Sequence, residues 1–298
     1  MTVRSISVVP VRCLTLVAGA ALVIAAACSD VPSDPNTPFS IEFNHAPSPS
    51  VVLGETLFDS LGIAAPLKAR VFNANGDEIV GAKVTYHVIA YDTNKVPASN
   101  PAYRDSVPLT VDSITGFVLG RSNPVFAGKH ARVYAQAGKL QSDTVSIYAV
   151  RNADALNVST ATLVDTLSFL NVDETPLSPA LTATLRHTSG APVTAADSAV
   201  PFYLVTFHIV RPAGGDTSYV MLANANKKQS DIDTTDANGT ASRQVRIRRS
   251  KFPFTKTADS NGFINDTVVV EVSAYRAHGE LVPGSGSQIH LIITARKP

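Results

Sequence analysis

One β-patterned unit occurs twice in this chain, in the same order, and that repetition limits the fold more than any single motif does. Val84-Thr85-Tyr86-His87-Val88-Ile89 answers Val205-Thr206-Phe207-His208-Ile209-Val210. Leu67 to Gly76 answers Leu181 to Gly190 at equal length, and Leu53 to Leu57 answers Leu163 to Leu167. Asp112 to Gly116 answers Asp236 to Gly239, each ahead of an alternating stretch. The runs around Val133-Tyr134-Ala135 and Val272-Ser273-Ala274 lead into glycine turns at Gly138 and Gly279. Five matches in one order read as a tandem duplication.

The unit is a β unit. From Phe39 on, helical periodicity is nearly absent, and short alternating runs rich in β-branched residues recur between turn signals. In the first half the expected strands are Ser40–Asn44, Val51–Phe58, Leu67–Asn73, Lys83–Tyr91, Val107–Val111, Thr115–Leu119, Ala131–Ala137 and Thr144–Val150. About seven short strands per domain is the pattern of an antiparallel sandwich. The junction is expected near Arg151 to Asp154, which gives domains at 39–150 and 151–298 and leaves them as close neighbours. The second unit carries extra residues at Ala191–Ala199, Ala213–Asn226 and Lys251–Asn265, which a sandwich would hold in loops.

Ahead of these units stands an export signal. Arg4 and Arg12 precede Cys13 to Ala27, a charge-free apolar run too short for the roughly 20 residues of a membrane span. Residues 1–27 therefore read as a signal peptide. The run ends in Ala25-Ala26-Ala27-Cys28, which resembles the lipobox of bacterial lipoproteins. That resemblance implies cleavage before Cys28 and attachment of diacylglycerol to its sulfur. Ala25-x-Ala27 also suits ordinary signal peptidase, which would cut the same bond and leave a thiol. Residues 28–38 then read as the acylated cysteine and a semi-extended, Pro-rich tether. Cys13 leaves with the signal, so no internal disulfide is expected. With Arg4 and Arg12 gone, 23 of the 25 Lys and Arg stand against 24 Asp and Glu, a balance that gives no case for a nucleic-acid partner. Ser29 after the cysteine implies, by the same resemblance, the outer membrane, facing either the periplasm or the cell surface.

The sequence order Val80-Gly81-Ala82-Lys83-Val84-Thr85-Tyr86, then Thr234 to Ala241, resembles the bacterial immunoglobulin-like repeats of the intimin and invasin type. The resemblance covers nearly all of residues 39–297. It implies two tandem immunoglobulin-like sandwiches and a role in adhesion or in binding an envelope protein. The outer-membrane barrel and long repeat array of the named adhesins are not found in this sequence.

Chemistry is sparse. There is no G-x-S-x-G elbow, no H-E-x-x-H, no P-loop and no G-x-G-x-x-G after a strand, so no enzyme and no cofactor are expected. His87 and His208 hold equivalent places, and alternation puts them opposite the core aromatics Tyr86 and Phe207, which marks them as structural. Asp231, Asp233, Asp236 and Asn238 form the densest oxygen cluster. Calcium needs six to eight oxygens, and this stretch fails the EF-hand pattern, so a hairpin turn around Asn238-Gly239 is the preferred reading. Arg246, Arg248, Arg249 and Lys251 lead into Phe252 and Phe254. On an edge strand such cations block edge pairing; as a stripe beside two aromatics they are the best binding candidate, for an anionic glycan, a lipid headgroup or an acidic protein surface. The overall expectation is a lipid-anchored interaction or spacer module, with glycan binding as the alternative.

Overall fold

The computed structural model describes residues 34–44, 46–90, 107–158, 162–167, 175–188, 198–212, 218–223 and 230–296. The expected signal peptide and Cys28 lie outside the described residues, as do the Pro97–Pro101 break and most of the first two insertions. Among the described residues every element is a strand or a single 3-10 turn, with no α-helix. The expected all-β class is the class observed.

In the N-terminal group, β2 (Ser50–Val52), β9 (Val145–Val150), β7 (His130–Ala137) and β4 (Thr85–Ala90) form one sheet in that order, and β8 (Leu140–Gln141) closes a hairpin on β7. Facing it are β1 (Ser40–Phe43) paired with β3 (Ala69–Phe72), and the hairpin of β5 (Leu109–Val111) and β6 (Val118–Gly120). Strict alternation builds the core. Ala131, Val133, Ala135 and Ala137 of β7 point inward while His130, Arg132, Tyr134 and Gln136 point outward and stay half-exposed. The small inward residues leave room for Tyr86, Leu57 and Leu67, all buried in the same cluster.

The C-terminal group repeats the arrangement on a larger scale. One sheet runs β11 (Thr162–Leu167), β19 (Ser287–Arg296), β18 (Phe263–Ser273), β13 (Leu204–Arg211), β15 (Ser230–Thr234). Against it lie β10 (Ala155–Val158), β12 (Leu181–Arg186) and β16 (Thr240–Arg243), with β14 (Val220–Leu222) paired to β17 (Val245–Ile247). The order β2-β9-β7-β4 thus recurs as β11-β19-β18-β13. Not every ladder is antiparallel: β2 runs parallel to β9, and β11 to β19. Parallel neighbours need a long crossover, and here the rest of each group supplies it.

All five sequence matches fall on corresponding strands or beside them. Both Asp-led turns stand beside the start of a matched strand, the Ser113 carbonyl accepting from Tyr86 N at β4 and that of Thr235 from Phe202 N just ahead of β13. They differ in register on the facing strand: the Gly116 carbonyl accepts from the Leu67 amide, two residues before β3 begins, whereas the Gly239 carbonyl accepts from Leu185, near the end of β12. The last of the expected insertions also runs into β18, and is not wholly loop.

The expected tether is folded at its end. Thr37 N donates to the Asp34 carbonyl and Asn36 N to Asp34 Oδ1, while Asn73 Nδ2 donates to the Pro35 carbonyl at 3.2 Å. Residues 34–38 are a turn docked on the N-terminal group, and not an extended leash.

No β ladder among the described residues joins strands before Val150 to strands after Ala155, yet side chains do. Tyr148 stacks on Phe202 with ring centroids 3.8 Å apart, Phe58 meets Tyr203 edge-on, and Ser50 Oγ donates to the Phe202 carbonyl. Gly279 N donates to the Gly62 carbonyl, and Arg276 Nε to that of Ala153. Val52, Phe58 and Val150 belong to the same apolar cluster as the core of the C-terminal group. The two described non-glycine residues with positive φ, Phe202 and His278, both lie at this junction.

Candidate functional site

The cationic row falls on β17 and the 3-10 turn that follows it. Val245 and Ile247 are fully buried and Arg246 faces outward, as alternation requires. The strand is not an edge. β14 pairs with one side of it, and the segment of Pro176 to Ser178 pairs with the other through Ser178 N to the Val245 carbonyl and Ile247 N to that of Pro176. Edge blocking therefore does not account for these arginines. Arg246 Nη1 reaches Thr175 Oγ1 at 3.3 Å, and the Arg248 guanidinium donates to the Ser218 carbonyl. Arg249 and Lys251 lie in the turn, the lysine exposed.

The aromatic half of the expected platform is inside the protein. Phe252 is 5% exposed, edge-on to Tyr219, and Phe254 packs against it and the core. Beside these rings lies a polar trio of which Tyr219 and Asp266 are buried and Lys256 is exposed. Tyr219 Oη donates to Asp266 Oδ2 at 2.8 Å, and Lys256 Nζ and the Thr267 amide donate to Oδ1. Burial pushes the Tyr219 hydroxyl far above its ordinary value, helped by its bond to Asp266 and that group's charge. Burial also works to raise the Asp266 carboxyl, but the hydrogen bonds from Lys256, Tyr219 and Thr267 and the lysine charge outweigh it, so its pKa lies below the ordinary aspartate value. Phe252 was legible as an aromatic beside a basic stripe; its burial was not, because the pairing of β14 with β17 joins segments more than twenty residues apart.

The oxygen cluster already holds a cation, and it is an arginine. Arg243 Nε contacts Asp231 Oδ2 at 2.9 Å and its Nη1 contacts Asp233 Oδ1 at 2.8 Å, while Nη2 donates to the Ile232 carbonyl. Asp233 Oδ2 accepts from the Ser242 amide. Asp236 Oδ1 accepts from the Asn238 and Thr240 amides, which is an Asx turn. The calcium candidate of Asp231, Asp233, Asp236 and Asn238 is thereby corrected to a clamped strand followed by a turn. Among the described residues no group of three His, Cys, Asp or Glu is placed to share a metal ion.

The feature that the sequence reading missed is the outer face of β4, β7 and β9. Its outward residues are Thr85, His87 and Ile89, then His130, Arg132, Tyr134 and Gln136, then Ser146 and Tyr148. His87 lies across from Tyr134 and stacks on it at 5.1 Å; His130 lies across from Tyr148 at 4.8 Å. Arg132 stands between the two pairs, opposite Ile89 on one side and Ser146 on the other, its Nε buried with no hydrogen-bond acceptor. None of these outward positions carries a carboxylate. The signal was present as the alternation of His130, Arg132, Tyr134 and Gln136 within a strand that was itself recognised.

A separate open cleft of about 580 Å³ is lined by Gly54, Thr110, Leu119, Arg121, Ser122 and Phe126 among others, and among the described residues Arg121 is its one ionisable lining group.

No protein-family model and no curated protein matches the chain. Among solved structures, the Yersinia pseudotuberculosis adhesin InvE matches at 12% identity over 83% of this chain, with a TM-score of 0.29. The extracellular cadherin domains 1–5 of protocadherin gamma B2 match at 13% over 89% (TM-score 0.26), and domains 4–9 of the surface-layer protein SbsC at 10% over 87% (TM-score 0.25). The matches cover 56%, 40% and 31% of those chains.

Proposed function

We propose that the chain is an exported, non-enzymatic interaction module. In this reading residues 1–27 direct export, Cys28 carries the lipid, and domains at 39–150 and 151–298 present a binding face at the cell envelope. The outer face of β4, β7 and β9 carries the reading. Tyr and Arg are among the residues that most often dominate binding energy at protein interfaces, and this face groups Tyr134, Arg132 and two histidines with no acid among them, while Tyr148 at its edge is taken up by Phe202. A partner protein that presents carboxylates would complement it. The glycan-binding alternative loses its main support, since Phe252 is buried and Phe254 packs beside it.

The test is cross-linking on living cells that carry the full chain, with a photo-reactive side chain at Gln136. A discrete adduct that vanishes on Arg132→Glu or Tyr134→Ala, in proteins of unchanged melting temperature, supports the reading. An adduct indifferent to both changes removes this face from it. Protease treatment of intact against lysed cells then decides whether the partner is extracellular or periplasmic.

A further inference from the structure

The two most exposed large apolar side chains of the described residues lie at one end. Val80 is 92% exposed and Ile114 79%. Their position follows from the ladders. Val150, the end of β9, leads to the junction; β7 runs antiparallel to β9, so its end at Ala137 is distal; β4 runs antiparallel to β7 with Thr85 opposite Gln136, so β4 begins at that distal end. The Ser113 carbonyl accepts from Tyr86 N, which sets Ile114 beside the start of β4. Val80 sits in the turn closed by Ala82 N to the Ile79 carbonyl, and Ile79 N bonds the Val71 carbonyl.

The chain enters the fold beside the Val80 turn, since Ile79 bonds Val71 and Phe39 bonds the neighbouring Phe72. Asn73 Nδ2 holds the Pro35 carbonyl, and Phe39, 52% exposed, bonds the Phe72 carbonyl through its amide. With residues 34–38 folded, Asp34 stands six residue steps from Cys28, a reach of at most about 20 Å at roughly 3.3–3.6 Å per residue. An acylated Cys28 would hold this end within that distance of the bilayer, while the junction and the C-terminal group point away from it.

We propose that this end of the N-terminal group rests on the lipid surface, with Val80 and Ile114, flanked by Phe39, in the interfacial layer. The proposal rests on the lipid anchor of the preceding section. Exposed charges here are of both signs, Lys83 and Lys139 with Asp77, Glu78 and Asp143, so the attraction is apolar and does not need anionic lipid. Two partly inserted aliphatic side chains with Phe39 beside them would convert a leash into a docking, fixing which way the outer face of β4, β7 and β9 is turned.

The chain has no tryptophan, which makes the test direct. Val80→Trp, Ile114→Trp and Val164→Trp are made singly in the full chain, the last on an exposed β11 position of the other group. Mature protein is purified from cell membranes and reconstituted into phosphatidylcholine vesicles with brominated acyl chains. The expected result is loss of emission for Val80→Trp and Ile114→Trp, undiminished by high salt, with Val164→Trp unchanged. Protein that floats with the vesicles while all three emit alike overturns the proposal and leaves the anchor standing. Protein that neither floats nor carries the mass of a diacylglycerol overturns the anchor, and the docking with it.

Discussion

Phe207 and Tyr86 occupy matched places in β13 and β4, but the structure separates their weights. Phe207 is wholly enclosed, and Phe207→Ala should cost about 3–5 kcal/mol in denaturant unfolding. Tyr86 keeps 8% of its surface exposed, so Tyr86→Ala belongs at or below the lower end of that range. Which aromatic faces inward was legible from alternation alone, and so was the outward place of His87 and His208. Phe252 was not, because nothing local in Arg249 to Phe254 tells of the ring of Tyr219 above it. Asp266 adds a pH dependence. Its folded pKa lies below the ordinary value of 3.8, so its contribution is present above that value and is lost as pH falls through the folded pKa. Asp266→Asn should therefore lower the melting temperature near neutral pH, and the gap to the parent protein should narrow as the solution is made acidic.

Turns and strands are local, and most were readable; the pairing of distant segments was not. The Asp236-led turn was recognised from Asn238-Gly239, and it forms. Gly239 has φ +71°, and a Cβ there would stand 2.6 Å from the Leu185 carbonyl oxygen. Gly239→Ala should thus cost more than the roughly 1–2 kcal/mol of the left-handed backbone alone, visible as a lower midpoint in urea. The equivalent turn at Asp112 also lies beside the start of its matched strand, β4, but meets β3 at Leu67 where the other meets β12 at Leu185, because five residues of similar pattern do not fix the register on a distant partner. β17 is a second instance. Its alternation was correct, but its two neighbours come from Val220 and Pro176, far away in sequence, and they turn an expected edge into an interior strand. The clamp of Arg243 on Asp231 and Asp233 escaped notice because it joins β16 to β15 from one sheet to the other, and alternation does not say which strands share a sheet.

At the scale of the molecule the junction matters most. The apolar cluster of the C-terminal group continues into Val52, Phe58 and Val150, so the two groups should unfold in a single calorimetric transition and not in two. Gly62 tests this. A Cβ on it would lie 2.1 Å from the Arg276 carbonyl oxygen, and Gly62→Ala should split the transition and broaden the particle in small-angle scattering. Stacking of Tyr148 on Phe202 should protect neither group once that contact is forced apart. The parallel pairs have a mechanical meaning as well. A pull on the chain ends drags β2 and β9 past one another along their length, as it does β11 and β19, so every rung resists at once and none can be unzipped in turn. Three residues pair in the first case and six in the second. Under tension the N-terminal group should give way first, and single-molecule stretching should record the larger force for the C-terminal group.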